Sequence, residues 1–242
     1  MKETITWAGY TWLNRERWGR IHPDSPRMWN DPNAVEIRDG MLVLKTQKSP
    51  MTFVIDGKTV TTNTGMGLVS NKTKFGHGYF EIEAKLPTGK NLWPAFWMWS
   101  FDSWPPEIDI FEAYTNNKKG YFKLFPAKWW RFLSFWNVQT NVHFGFEKDG
   151  TKSSDGGKTF WMGFKNPRKH FIKYGCLWTP NEIEFYYNNR KVYTVNDPEI
   201  MKYFENTKMN VIINNGVDYD SDKLNPAESE FIIKYFTYKP LK

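Results

Sequence analysis

Apolar residues recur at every second position in a series of short runs: "VEIRDGMLVLKTQ", "GYFEIEAKL", "PAFWMWSF", "EIDIFEAY", "TNVHFGF", "IKYGCLW", "EIEFYYNNRKVYTV", "MNVIINNG" and "EFIIKYFTYKP". A period of two places alternate side chains on opposite faces of a β-strand. The runs are rich in Val, Ile, Phe, Tyr and Trp. Turn formers such as "RDG", "PTGK", "NNRK" and "EKDG" punctuate them. "EFYYNNRKVYTV" predicts a hairpin about "NNRK", with apolar alternation on both arms. One short helix is predicted over "DPEIMKYFE", with Asp197 as its cap and Pro198 in the first helical position. "KDGTKSSDGGKT" (148–159) reads as a surface loop. No repeat, low-complexity tract or linker divides the chain. The pattern therefore predicts an all-β sandwich or barrel in one domain spanning 1–242.

"EIDIFE" breaks the period. Glu107 and Asp109 fall on one face and Ile108 and Ile110 on the other, but position 111 is Phe and the third acid is Glu112. One extra residue, a β-bulge near 110 and 111, would return Glu112 to the face of the other two acids. The Cα atoms of Glu107 and Glu112 would then stand about 13 Å apart, and converging side chains could bring the carboxyls to about 5–6 Å. That approximates the separation used by glycosidases that retain anomeric configuration. One acid must be ionised to attack and another must hold a proton for the leaving oxygen, an inequality that clustered like charges promote. Acids alternating with apolar residues are also the ordinary look of a half-exposed strand. The flanking "WPP" tilts the balance by placing a rigid approach and an aromatic wall beside Glu107.

Composition narrows the classes. The 242 residues are 40% hydrophobic and 18% aromatic, with 13 Trp. That is more Trp than a core of this size needs, so some should stack on flat apolar faces such as sugar rings. The net charge of +7 comes from scattered Lys and Arg that form no basic stripe. A nucleic-acid partner is not expected, and an anionic ligand stays open beside simple solubilisation. The single cysteine, Cys176, lies in an apolar run and cannot form an internal disulfide. No apolar leader region is visible at the start, and no 18-residue apolar stretch exists, so no membrane association is expected.

Four His without metal spacing argue against zinc. Asp218, Asp220 and Asp222 alternate but lack the Gly and distal Glu of an EF-hand loop, which favours a solvated acidic loop. No G-x-S-x-G motif is present. In "NLWPAFWMWS", Trp97 and Trp99 should share one face and Phe96 and Met98 the other. One of Trp93, Trp97 and Trp99, rather than all three, is expected to line a cleft. Trp129, Trp130 and Trp136 suit loop packing and sugar platforms equally.

The motif and its flanks resemble glycoside hydrolase family 16. The E-x-D-x-x-E pattern stands at Glu107, Asp109 and Glu112. "GYFEIEAKLP", "NLWPAFWMWS", "TNVHFG", "YGCLWTPNEIEFYYNNRKVYTV" and "SEFIIKYFTYKP" resemble family strands in order, covering about residues 28–240. The resemblance implies a jelly-roll of two stacked antiparallel sheets, concanavalin A-like, whose concave sheet forms an open polysaccharide cleft. It implies Glu107 as nucleophile, Glu112 as general acid/base and Asp109 as helper between them. It offers Trp93, Trp97, Trp104, Trp136, Asn141 and His143 as substrate contacts, His143 only loosely.

No cofactor is required, although a structural Ca2+ occurs in some members. The implied activity is cleavage inside a β-1,3- or mixed β-1,3-1,4-glucan. An agar- or carrageenan-type galactan, or binding without catalysis, are the alternatives. A monomer working outside the cell or in the periplasm is expected. "MNVIINNGVDYDSD" and "KLFPAKWWRFLSFWNVQTN" depart from the family pattern, which leaves the substrate open.

Overall fold

At four places the chain reverses through two residues of positive φ: Ala8–Gly9, Asp39–Gly40, Asp56–Gly57 and Asn188–Asn189. The flanking pairs are Trp7 with Tyr10, Arg38 with Met41, Ile55 with Lys58 and Tyr187 with Arg190. Each is a two-residue hairpin turn of the twist that matches paired strands. Asn and Gly fill most of these sites because they tolerate the left-handed region. These contacts come from a computed structural model of the protein, which describes residues 3–22, 26–115, 137–146, 150–161, 165–217 and 229–241.

In chain order the strands are β1 (Thr4–Trp7), β2 (Tyr10–Leu13), β3 (Trp29–Asn30), β4 (Val35–Arg38), β5 (Met41–Leu44) and β6 (Thr46–Ile55). Next come β7 (Lys58–Met66), β8 (Leu68–Asn71), β9 (Gly78–Lys85), β10 (Leu92–Trp99), β11 (Glu107–Glu112) and β12 (Asn137–Phe146). The last are β13 (Lys152–Trp161), β14 (Ile172–Trp178), β15 (Ile183–Tyr187), β16 (Arg190–Val195), β17 (Asn210–Val217) and β18 (Phe231–Pro240).

An eight-stranded sheet runs β1-β2-β8-β17-β10-β11-β12-β13, and a seven-stranded sheet runs β16-β15-β14-β9-β18-β5-β4. A smaller sheet, β3-β7-β6, flanks them; its β3–β7 pairing is parallel and the other strand pairs are antiparallel. The predicted all-β jelly-roll sandwich is the observed architecture.

Alternation builds the core. From the larger sheet, Phe96, Met98, Ile108, Ile110, Phe111, Val142, Val211 and Ile213 point inward. From the smaller come Phe80, Ile82, Tyr174, Cys176, Trp178, Phe185 and Phe236. Phe111 and Tyr174 meet across the sandwich at 4.2 Å between ring centroids. Each fully buried large side chain stabilises by roughly 1.5–3 kcal/mol, so this layer is the main favourable term. As its surroundings predicted, Cys176 is a buried free thiol.

The helix exists but is short: Asp197 accepts from the Glu199 N–H, and Pro198–Met201 forms a single turn. The segment 148–159 is a correction. Residues from Lys152 onward form β13, which pairs with β12 as the sheet's edge. Its Gly, Ser and Asp content reads as loop, but pairing to a long neighbour overrides composition. Gly156, at φ +115, lies so close to β12 that a Cβ there would meet the Thr140 carbonyl oxygen at 2.7 Å. The long hairpin β6–β7 also escapes the apolar pattern, because Thr recurs along both of its arms. Trp129, Trp130, Trp136, Asp218, Asp220 and Asp222 lie outside the described residues. No helix among the described residues is long and apolar enough to cross a membrane.

Candidate active site

The anomalous spacing in "EIDIFE" is a bulge. On β10, Ala95 faces Glu112, Phe96 faces Phe111 and Trp97 faces Asp109, which leaves Ile110 without a partner. On β12, Asn141 faces Asp109 and Gln139 faces Glu112, so Ile110 and Phe111 together oppose the single residue Thr140. Both bulge residues bury their side chains in the core, while Glu107, Asp109 and Glu112 share the outward face.

The bulge's carbonyls do not go unsatisfied. The Thr140 hydroxyl donates to the Asp109 carbonyl at 2.9 Å, and the Tyr187 hydroxyl reaches across the core to the carbonyls of Ile110 and Gln139, each at 3.2 Å. Sequence spacing gave no sign of either anchor, because Tyr187 belongs to the opposite sheet.

Two tryptophans hold the outer acids. The Trp104 indole N–H donates to Glu107 Oε2 at 2.5 Å. The Trp93 indole N–H donates to Glu112 Oε1 at 2.9 Å, and the Tyr114 hydroxyl donates to the same oxygen at 3.2 Å. Tyr114 also stacks on Trp93 at 5.4 Å, fixing the ring that carries this donor. With both donors on Oε1, the second oxygen of Glu112 is the one left to carry a proton. Asp109 is 3% exposed, and its carboxyl shares a hydrogen bond with Glu107. His143 Nε2 stands 3.4 Å from Asp109 Oδ2 and 3.1 Å from the side-chain nitrogen of Asn141.

Burial pushes all three acids upward, and their mutual charge adds to it. Glu107 is raised to about 8, first by burial and then by the charge of Asp109. Asp109 is raised well above the usual range by burial and by Glu112. Glu112 is raised by burial and by Glu107, with the Tyr114 and Trp93 donors opposing. The hydrogen bond between the two raises Glu107 and lowers Asp109, so the shared proton rests on Glu107 until Glu107 ionises. The Trp104 N–H is the donor that favours the Glu107 carboxylate. Removing it should be measurable. In Trp104→Phe, the Glu107 carboxylate loses a donor, its ionisation moves to higher pH, and the acid limb of kcat/KM follows it upward. Turnover below that limb should fall by about tenfold, the worth of one hydrogen bond to a charged group. A pH–rate profile identical to that of the parent would refute this.

Trp93, Trp97 and Trp99 share the face of β10 that meets the acids of β11, and of the three Trp99 is buried. Trp97 is half-buried and donates to Asn214 Oδ1 at 2.8 Å. Trp99 is covered: the Arg17 guanidinium lies 4.4 Å above its ring, and Trp18 meets its edge at 5.1 Å. Trp104 carries Lys152 over its face at 4.5 Å and Phe146 at its edge. Arg17, Trp18, Lys152 and Asn214 pack on or bond these tryptophans, and the sequence pattern did not single them out. Only the "MNVIINNG" departure hinted at Asn214.

Among the described residues, Glu107, Asp109 and His143 alone bring three donor atoms within 4.8 Å of one another. Burial raises both Glu107 and Asp109, which opposes the charged state a cation needs.

The family model for glycosyl hydrolases family 16 matches residues 24–232. An endo-1,3-1,4-beta-glycanase of Rhizobium meliloti is 25% identical over 172 residues, covering 70% of this chain and 32% of the relative. A glucan endo-1,3-beta-glucosidase of Niallia circulans is 26% identical over 209 residues, covering 81% and 28%. The chain thus spans about a third of the length of these curated relatives. The X-ray structure of an endo-beta-1,3-glucanase from Pyrococcus furiosus superposes with a TM-score of 0.68 at 20% identity, covering 99% of this chain and 100% of that one. A match over most of the chain, on a fold that carries the bulged acidic strand inside its larger sheet, makes this protein a member of glycosyl hydrolases family 16.

Proposed function

We propose that this protein hydrolyses internal bonds of a β-1,3- or mixed β-1,3-1,4-glucan with retention of anomeric configuration. The observation that carries the reading is the placement of Glu107 and Glu112 on one face by the Ile110 bulge, each held by its own indole N–H. The named activities of the relatives support the glucan assignment.

In the first step the Glu107 carboxylate attacks the anomeric carbon, while Glu112 transfers its proton to the glycosidic oxygen. The leaving chain departs as an alcohol, and a glycosyl ester remains on Glu107. Glu112, now ionised, takes a proton from water. The resulting hydroxide attacks the same carbon, and Glu107 leaves as a carboxylate. Asp109, buried beside Glu107 and hydrogen-bonded to it, tunes how readily charge returns to that carboxyl as the ester bond breaks. Trp97, Asn141 and His143 share the face of the acids, which supports them as the residues that receive the sugar. The substrate is a polysaccharide and no nucleic acid, and the protein works as a monomer outside the cell or in the periplasm. No cofactor takes part in these steps.

A panel of laminarin, barley glucan, agarose and carrageenan tests the substrate. Reducing ends should appear from the first two, and proton NMR of the nascent product should show the β-anomer first. Release from agarose or carrageenan alone would overturn the glucan assignment. Initial formation of the α-anomer would overturn the two-step mechanism.

A further inference from the structure

The turn after β2 brings in a fourth acid. Glu16 and Gly19 exchange both backbone hydrogen bonds, at 3.1 and 3.0 Å, closing a tight reversal. The Ser70 hydroxyl pins this segment to β8 by donating to the Arg15 carbonyl at 2.6 Å. Arg17 and Trp18, in the turn, clasp Trp99, which is the β10 residue directly opposite Glu107. Glu16 points into the same wall. It is 2% exposed, and neither carboxylate oxygen has a hydrogen-bond partner of good geometry; nor does the Trp99 indole nitrogen. Its nearest donors are the Trp99 indole N–H and the Arg17 backbone N–H, and a buried carboxyl so weakly held costs on the order of a few kcal/mol if charged.

We propose that Glu16 is a positioning residue for Glu107, a fourth carboxyl of the hydrolytic site that acts through the nucleophile rather than on the sugar. This rests on the reading of Glu107 as nucleophile. The titratable and charged groups facing Glu16 are Glu107 on β11 and Arg17 in its own turn, whereas Arg15 turns to Glu3 and to the Glu16 carbonyl. Burial, and after it the charge of Glu107, pushes Glu16 up to about 8. Ionisation of either acid therefore opposes ionisation of the other, and the first proton lost by the pair is shared between two sites. Glu16 thereby sets the pH at which Glu107 becomes a carboxylate.

Glu16→Gln removes the competing charge and keeps the shape. The acid limb of kcat/KM should move to lower pH by about half a unit to one unit, as expected for loss of a nearby like charge. Glu16→Asp, which keeps a carboxyl, should leave the limb near the parent's position. A limb that stays put in Glu16→Gln, or that moves equally in both variants, overturns the proposal. Should Glu16→Gln not fold, carbon-13 NMR of the Glu16 carboxyl reads the same coupling from the other side. Its midpoint should fall in Glu107→Gln relative to the parent, since the coupling is reciprocal, and an unchanged midpoint overturns the proposal. The two readings fail separately. Full turnover in Glu107→Gln removes the nucleophile assignment, whereas an inactive Glu107→Gln with no coupling to Glu16 removes only this inference.

Discussion

Glutamine in place of Glu107 will lower turnover by at least about 10^4-fold, because an amide can neither attack the anomeric carbon nor leave as a stable anion. Affinity for an oligosaccharide should stay within about threefold, since the substitution preserves shape and the sugar contacts come from other residues. Reducing-end release and calorimetric titration measure the two quantities independently. The split separates hydrolysis from binding alone: a sugar-binding sandwich would lose affinity and have no turnover to lose. Turnover within tenfold of the parent would exclude Glu107 as nucleophile.

Deleting Ile110 will be more damaging to the whole molecule than any single substitution on the cleft face. Without the extra residue, β11 returns to strict alternation, with Phe111 still inward and Glu112 still on the face of the other acids. What is lost is a fully buried side chain, at about 3 kcal/mol, the carbonyl held by the Tyr187 hydroxyl, and the kink that aims Glu112. Thermal unfolding should begin about 6–12 °C lower, and turnover should fall by at least about 100-fold because the carboxyl is misplaced against the reacting bond. A deletion variant with the parent's Tm and measurable turnover would show that the acids do not depend on the bulge.

Much of the fold was legible because strand signals are local. Alternation placed β9, β10, β14 and β18 correctly, Asn188–Asn189 marked the hairpin, and Asp197 with Pro198 marked the helix. The site's acids were legible for the same reason, since an interruption in a period of two is itself a local signal. What could not be read was set by contacts between distant segments. β13 is a strand because β12 lies beside it, not because Gly, Ser and Asp prefer extension. Glu16 sits in "NRERWGR", where nothing distinguishes it from a solvated charge. Only the packing of that turn on Trp99 removes it from water. Trp93 and Trp104 were expected as substrate contacts. Their indole nitrogens also hold the carboxyls, and their faces carry Tyr114 and Lys152. Aromatic residues near acids announce a cleft, but not which part of the ring it uses.

The Tyr187 hydroxyl ties the backbone of the acidic strand to a hairpin in the other layer. Registry between the two layers thereby becomes part of the alignment of the reacting groups. Anyone grafting this cleft onto another scaffold would have to transplant the distant Tyr along with the strand, and homologous recombination that exchanged one layer alone would misalign the chemistry while leaving each layer well formed.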